Sequence, residues 1–328
     1  MKKDRVTLRT LSEKTGLSTS TLSRALNNCP GVDYDTRRLA REAARKFGYT
    51  PPPKEKCSIG VLFPTTPDYF WGTALASIRT VLEETGTDFR LMVYPPLAQP
   101  AEICELVDKM IDSGVRILLM PIQWQEVSEY LDTKREILTV FQICDYGDIR
   151  NSFVFTSDGE EDGAKLARIL HQRYPDSRAL ILSVPTLLCR ARTRGFSAWY
   201  PAGLLLGELE LPSVPPQHRA SSYARMLMEH APQPPDILVC NTGVLPYIAQ
   251  ALVKCGWKGR TLCAGFEYPP DLNRHISSGI CAVVEQDIAA ESKAAALAAV
   301  HFRKTGCWPD RKFTCIPSKF HRIQKEKE

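Results

Sequence analysis

The 328-residue sequence has no apolar run of about 18 residues that would span a bilayer. Its opening, MKKDRVTLRT, places charges where a secretion signal needs an apolar core. A soluble, cytoplasmic protein with no membrane partner is therefore expected. The eleven cysteines include no CxxC pair, and their odd number makes an awkward disulfide framework. They read as reduced, mostly buried small hydrophobes. Six histidines stand far apart, so the Cys/His clustering of a zinc site is missing, and neither metal nor cofactor is expected. Phosphate-binding GxxxxGK[ST], GxSxG and HExxH motifs are lacking too, which removes the commonest sequence signs of catalysis. What is present is an ordinary globular composition, 44% hydrophobic, in a chain long enough for two or three compact units.

The formal charge of +5 is unevenly spread. Residues 1–56 alone sum to +7, leaving −2 for the rest. A basic head on a slightly acidic body points to a polyanion partner for the head, although a merely solvated face is the plainer alternative. In VTLRTLSEKTGLSTSTLSRALNN, starting at Val6, Leu8 and Leu11 share one helical face, Gly16 interrupts, and Leu22, Ala25 and Leu26 form a second inward face. Two helices around a glycine turn make a helix-turn-helix. A third helix is expected after Asp33, a candidate N-cap, with Leu39, Ala43 and Phe47 closing a small core.

Four consecutive hydroxyl residues, Ser18, Thr19, Ser20 and Thr21, are poor material for a helix interior. They make sense at a helix start that approaches a duplex, where short hydroxyls and the helix dipole meet phosphates. Ser23, Arg24 and Asn27 fall on the same outer face, and the Arg24 and Asn27 side chains have donors suited to base edges.

These residues resemble the DNA-binding head of the lactose-repressor family of bacterial regulators. That head reads approximately V-T-[IL]-x-D-V-A-x-x-A-G-V-S-x-x-T-V-S-R-V-L-N, followed later by T-R…GY-x-P. About fifty residues match, with Thr10 standing for the usual Asp and Ser12 for Ala. The resemblance implies phosphate contacts at Ser18, Thr21 and Ser23 and groove readers at Thr19, Ser20 and Arg24. Thr7 and Asn27 complete the candidate set for a double-stranded DNA operator.

From Ser58 onward, apolar runs alternate with amphipathic segments: SIGVLF, RLMVY, VRILLMP, ILTVFQI, RALILSV, DILVC, TLCAGF and ICAVV. Such alternation means parallel sheets covered on both faces, and about 270 residues suit two doubly wound lobes better than one open sheet. The expected α/β architecture is thus a small all-α helix-turn-helix head (1–49), a short Pro-rich linker (50–57), and two doubly wound parallel-sheet lobes (58–328) for effector binding and dimerisation. Ligands of such sheets bind beyond the carboxyl ends of the strands. The segments there, TTPDYFWG, CDYGD, CRARTRGF, CNTG, AGFEY and VEQD, combine aromatic rings with amide, carboxylate and guanidinium groups, the chemistry that grips a sugar. Trp71 also reads simply as a core residue at a helix start.

The order of these motifs is similar to the periplasmic-binding-protein type body of lactose-repressor relatives: PDYFW to N-P-F-F, RTRGF to R-x-x-G-F, VCNTG to A-N-D, and GFE to G-[FY]-D. By that correspondence Asp68, Phe70, Trp71, Asp145, Arg192, Asn241, Glu267 and Gln286 are implied effector contacts. Thr242 replaces an Asp, Glu267 lengthens another, and Tyr146 stands where some sugar binders carry Arg. The expected function is a sequence-specific transcriptional regulator, a repressor controlled by a sugar-like effector, acting as a homodimer whose paired heads read two half-sites. The alternative from another class is a sugar-processing enzyme with an appended DNA-binding head. A ligand sensor that no longer binds DNA is disfavoured by the intact helix-turn-helix pattern.

The linker departs from the family's pattern. There the head is followed by P-N-x-x-A-x-x-L, a segment that becomes helical on DNA and pushes leucines into the minor groove. Here Tyr49 is followed by TPPPKEKCS, and then Ile59 opens the first strand. Three successive prolines favour extended backbone, and what remains is barely one turn, too short for a stable helix. No Leu is present to wedge between bases. An extended tether of about 3.1 Å per residue spans roughly 28 Å. Operator binding is therefore expected to proceed with little central kink, and effector control to act through the spacing of two heads. A bending assay giving a sharp central kink, or residues 50–58 found as a minor-groove helix, would overturn this.

Overall fold

The computed structural model describes residues 6–26, 32–47, 49, 58–65, 69–95, 98–144, 147–231, 233–270, 272, 274 and 279–323. Expectations for the linker at 50–57, and for Asn27, Asp68, Asp145 and Tyr146, fall outside them.

Three helices build the head: α1 (Leu8–Thr15), α2 (Thr19–Leu26) and α3 (Tyr34–Phe47). Thr7 caps α1, accepting from the Thr10 amide, and Gly16 ends it with φ 72°, a left-handed conformation that glycine adopts without strain. Ser18 starts α2, its Oγ accepting from the Thr21 amide at 3.0 Å. Asp33 does the same for α3, accepting from the Thr36 amide at 2.9 Å. Leu11, Leu22, Ala25, Leu26, Ala40, Ala43 and Ala44 form the core, with Leu8 and Phe47 packed against it. Leu39 does not join it and is 45% exposed. The inward stripe of α3 is 40-43-44-47, the i, i+3, i+4, i+7 pattern, which leaves position 39 on its outer margin.

The first lobe runs β1 (Ser58–Pro64), α4 (Tyr69–Glu84), β2 (Phe89–Tyr94), α5 (Pro100–Asp112), β3 (Val115–Met120), α6 (Gln125–Thr133), β4 (Thr139–Ile143) and β5 (Ser152–Thr156). The second runs α7 (Gly159–Arg173), β6 (Ala179–Ser183), α8 (Leu187–Trp199), β7 (Leu205–Glu210), α9 (Pro216–His230), β8 (Ile237–Cys240), α10 (Leu245–Lys254), β9 (Leu262–Phe266) and β10 (Ile280–Glu285). The chain then returns through α11 (Ile288–Thr305) to add β11 (Phe313–Cys315) to the first sheet, and crosses again to add β12 (Lys319–Arg322) to the second. Sheet orders are β11-β5-β4-β3-β1-β2 and β12-β10-β9-β8-β6-β7, so both lobes share one winding. Every pairing is parallel except β10 with β12.

All eight apolar runs of the sequence are strands. Four further strands carried weaker signals: β5 is short, β7 is a half-exposed edge, and β11 and β12 hold three and four residues. No disulfide joins the described cysteines. No described helix is long and apolar enough to cross a membrane.

The strand order reverses between β1 and β3 in one lobe and between β6 and β8 in the other. At such switch points the carboxyl ends of the strands leave a crevice, and here the two crevices face each other. The chain crosses between sheets at 156–159, 285–288 and 315–319, and the helices flanking the junction pack tightly. A Cβ on Gly195 of α8 would overlap the Glu160 carbonyl of α7, and one on Gly163 the Arg192 carbonyl. Gly195→Ala should therefore destabilise the protein by about 1–3 kcal/mol in urea unfolding. Gly72→Ala, on α4 with nothing within 4 Å of the new methyl, should be neutral or stabilising.

Candidate functional site

Two faces of the molecule carry candidate chemistry. On the head, Ser18, Thr19, Ser20 and Arg24 are exposed, Thr21 and Ser23 are half-exposed, and Leu22 and Leu26 point into the core. The hydroxyl run thus has two jobs in one turn. Ser18 and Thr21 form the cap and share a hydrogen bond at 2.8 Å, while Thr19 and Ser20 stand on the open surface. Thr7 lies exposed at the start of α1.

The second face is the cleft between the lobes, a cavity of about 1330 Å³. Segments following β1, β3, β6, β8, β9 and β10 all contribute to its wall. Phe70 and Trp71 enter from the first turn of α4. Trp71 is half-buried, edge-on to Phe63 at 5.9 Å and to Phe70 at 5.0 Å, so it belongs both to the core margin and to the cleft wall.

Arg192 dominates the opposite wall. It is 3% exposed, yet its guanidinium donates to the Asn241 carbonyl at 3.1 Å, to Glu267 Oε1 at 2.9 Å and to Gln286 Oε1 at 2.7 Å. It also lies over the Phe266 ring at 4.2 Å. Gln286 passes the interaction on, its Nε2 donating to both oxygens of buried Glu291 at 3.0 and 2.9 Å. A chain of polar contacts therefore runs from α8 through the β10–α11 crossover into α11.

Asn241 behaves differently. Its amide donates to the Cys189 carbonyl and to Thr193 Oγ1, and its Oδ1 accepts from the Val184 amide. Both donors are thus spent on the protein, and the residue ties β8 to the start of α8 behind the cleft wall. Trp124, Arg190, Arg219, Tyr247 and Gln250 line the cleft and were not singled out from the sequence. Trp124 follows β3, and the rule that ligands bind beyond strand ends would have found it.

Burial governs the acids. It pushes Glu267 up to about 7 despite the opposing Arg192, and it holds Glu291 well above the usual carboxylate range. Burial likewise raises Asp162, against a hydrogen bond from Ser318 at 2.6 Å. For Arg192 burial works against the charge, and the Glu267 carboxylate outweighs it, keeping the guanidinium protonated. Cys144 and Glu267, the first residues after β4 and β9, have φ of 66° and 70°. Positive φ outside glycine costs about 1–3 kcal/mol and gathers at functional sites. No group of acidic, His or Cys residues suited to a metal ion occurs among the described residues.

No family model matches the chain. Among curated proteins it is similar to the HTH-type transcriptional regulator AglR of Rhizobium meliloti, 33% identical over 108 residues. That match covers 30% of this chain and 30% of the relative's length. Among solved structures it is similar to a LacI family transcriptional regulator from Silicibacter pomeroyi, with TM-score 0.65 and 18% identity over 97% of this chain and 98% of that one. The glucose-galactose binding protein GanP from Geobacillus stearothermophilus gives TM-score 0.69 and 17% identity over 82% of this chain and 98% of that one. The body therefore has the two-lobed periplasmic-binding-protein type I fold, and the chain as a whole has the architecture of a head-bearing relative.

Glu267 gives the site a pH signature. An acid raised from 4.5 to about 7 on folding makes the folded state bind more protons between those values, so stability falls as pH rises through that window. Glu267→Gln removes the titration. The difference in melting temperature, variant minus parent, should therefore grow more positive from pH 5 to pH 8, as measured by calorimetry. A pH-independent difference would show that Glu267 does not titrate there.

Proposed function

We propose that this protein is a sequence-specific DNA-binding transcriptional regulator, a repressor controlled by a small sugar-like effector that binds between the lobes. The observation that carries it is the coexistence in one chain of two structures with separate purposes. A helix-turn-helix head presents Thr19, Ser20 and Arg24 outward, and a two-lobed body converges aromatic, amide and paired charged groups on one cleft. A duplex major groove accepts such a helix, and a pyranose accepts such a cleft. The names of the similar proteins, a transcriptional regulator of the LacI family and a glucose-galactose binding protein, support the same two activities.

The chain acts as a homodimer in this reading, because one head of about fifty residues buries little DNA and paired heads add a second half-site. An enzymatic role is the weaker reading. Of the acids that line the cleft, Glu126 belongs to α6 of the first lobe and Glu210 to β7 of the second, and Glu267 is committed to Arg192. The head is residues 1–49 and the effector body 58–328, with Arg192, Glu267 and Gln286 forming its polar floor and Phe70 and Trp71 its stacking wall.

Selection from random duplexes should yield one preferred, two-fold symmetric sequence, and a thermal-shift screen of mono- and disaccharides should find a stabilising ligand. Binding at a hundredfold excess over the dissociation constant adds about 2.7 kcal/mol to the native state. Arg24→Ala should weaken the selected site by roughly 1–3 kcal/mol and flatten its preference over random DNA, while Trp71→Ala should lose the ligand and keep DNA binding. Turnover of the stabilising sugar, or selection that returns no preferred duplex, would overturn the proposal.

A further inference from the structure

Arg37, Arg41 and Arg45 stand four residues apart on α3 and so fall in one stripe along it. Basic stripes on DNA-binding heads ordinarily face solvent or phosphate. This one faces the body. Arg37 is only 2% exposed, with Nη1 3.5 Å from Asn151 Oδ1 just before β5. The guanidinium of Arg41 lies 3.6 Å from the ring centre of Trp308, and that of Arg37 lies 5.2 Å from the same ring. Arg45 closes the stripe with an ion pair to Asp310 at 3.0 Å. Burial, with the charge of Arg37 beside it, brings Arg41 down to about 10.

Trp308 and Asp310 belong to the turn that follows α11. Gly306 ends that helix at φ 68°, and a Cβ placed there would come 3.7 Å from the Leu26 carbonyl at the end of α2. The turn is itself anchored. Trp308 is 4% exposed and packs on Phe153 at 5.6 Å and on Phe302 at 6.1 Å, inside the first lobe's core. A buried aromatic thus offers a face to two guanidinium groups, with a carboxylate at the far end of the row. Cation–π stacking of this kind strengthens as the cation is desolvated.

We propose that the turn 306–310 is a docking seat for the head, whose occupant is the arginine stripe of α3, and that the seat fixes the head on the first lobe with the outer face of α2 turned to solvent. The seat supplies a fixed relation between head and body that does not depend on the linker's own structure. It also stands at one end of α11, an 18-residue helix about 27 Å long. Gln286, bonded to Arg192, lies two residues before the other end. Only this link to an effector rests on the reading of the cleft given above.

The test uses the full chain without DNA or sugar. Arg45→Lys keeps the charge and provides an amine that a zero-length carbodiimide can join to Asp310, and mass spectrometry reads the product. The 45–310 crosslink is expected within single chains, at a yield independent of protein concentration. Adding Arg41→Gln should lower that yield by about fivefold or more, since the cation stacked on the buried Trp308 ring is lost. Trp308→Phe in the Arg45→Lys background keeps an apolar ring in the core and should lower the yield less. A missing 45–310 crosslink, or a yield unchanged by Arg41→Gln, overturns the seat. Because neither DNA nor sugar takes part, failure here leaves the regulator reading standing, and failure of that reading leaves this result unaffected.

Discussion

A buried guanidinium cannot be left without partners, and Arg192 imposes that requirement on the whole junction between the lobes. Taking such a charge from water is costly unless its donors are met and a counter-charge is close. The Asn241 carbonyl, Glu267 and Gln286 meet its two terminal nitrogens from the ends of β8, β9 and β10, leaving the buried Nε without a hydrogen bond, while α8 supplies the arginine itself. Three strand ends and one helix must therefore arrive at one point. The close approach of α7 and α8, made possible by Gly163 and Gly195, is part of how they do so. The unusual φ of Glu267 is another part, because it turns the carboxylate back from the strand toward the arginine.

Much of the architecture was legible because it rests on periodicity and on local chemistry. Gly16, Ser18 and Asp33 act at helix ends through contacts within a few residues of themselves, so the sequence carries the whole reason for them. Apolar runs covered on both faces read as strands for the same reason. Leu39 shows the limit, because two nearly equivalent stripes exist on α3 and only the tertiary contacts select 40-43-44-47. Short edge strands such as β11 and β12 depend on pairing across more than a hundred residues or on crossing between sheets, and nothing local announces them.

The cleft divides the same way. Loops beyond strand ends were found from the alternation of elements, whereas the division of labour within them was not. Nothing in the sequence around Asn241 announces that its amide hydrogens join β8 to α8. Glu291 and Asp162 gave no signal, since each lies in an ordinary helical pattern and acquires its role from burial. An acid on a helix reads as solvated until the fold places another layer over it.

Charge was informative in sign and misleading in direction. The excess of basic residues in the head suggested a polyanion, but three of its arginines, Arg37, Arg41 and Arg45, are turned to Asn151, Trp308 and Asp310. What the head shows outward on α2 is mostly short hydroxyls and Arg24. An electrostatic footprint is set by the charges that reach phosphate, each of which lowers the logarithm of affinity by about 0.9 per logarithmic unit of salt. Arg37, buried in the seat, contributes nothing to that slope while it remains there, whereas the Arg45 side chain is 58% exposed in its pair with Asp310. The outer face of α2 is thus headed by the four hydroxyl residues at 18–21. Their low helix propensity is offset by the Ser18 cap, whose Oγ meets the Thr21 amide, while Thr19 and Ser20 remain on the open surface because the cap needs only one hydroxyl of the four.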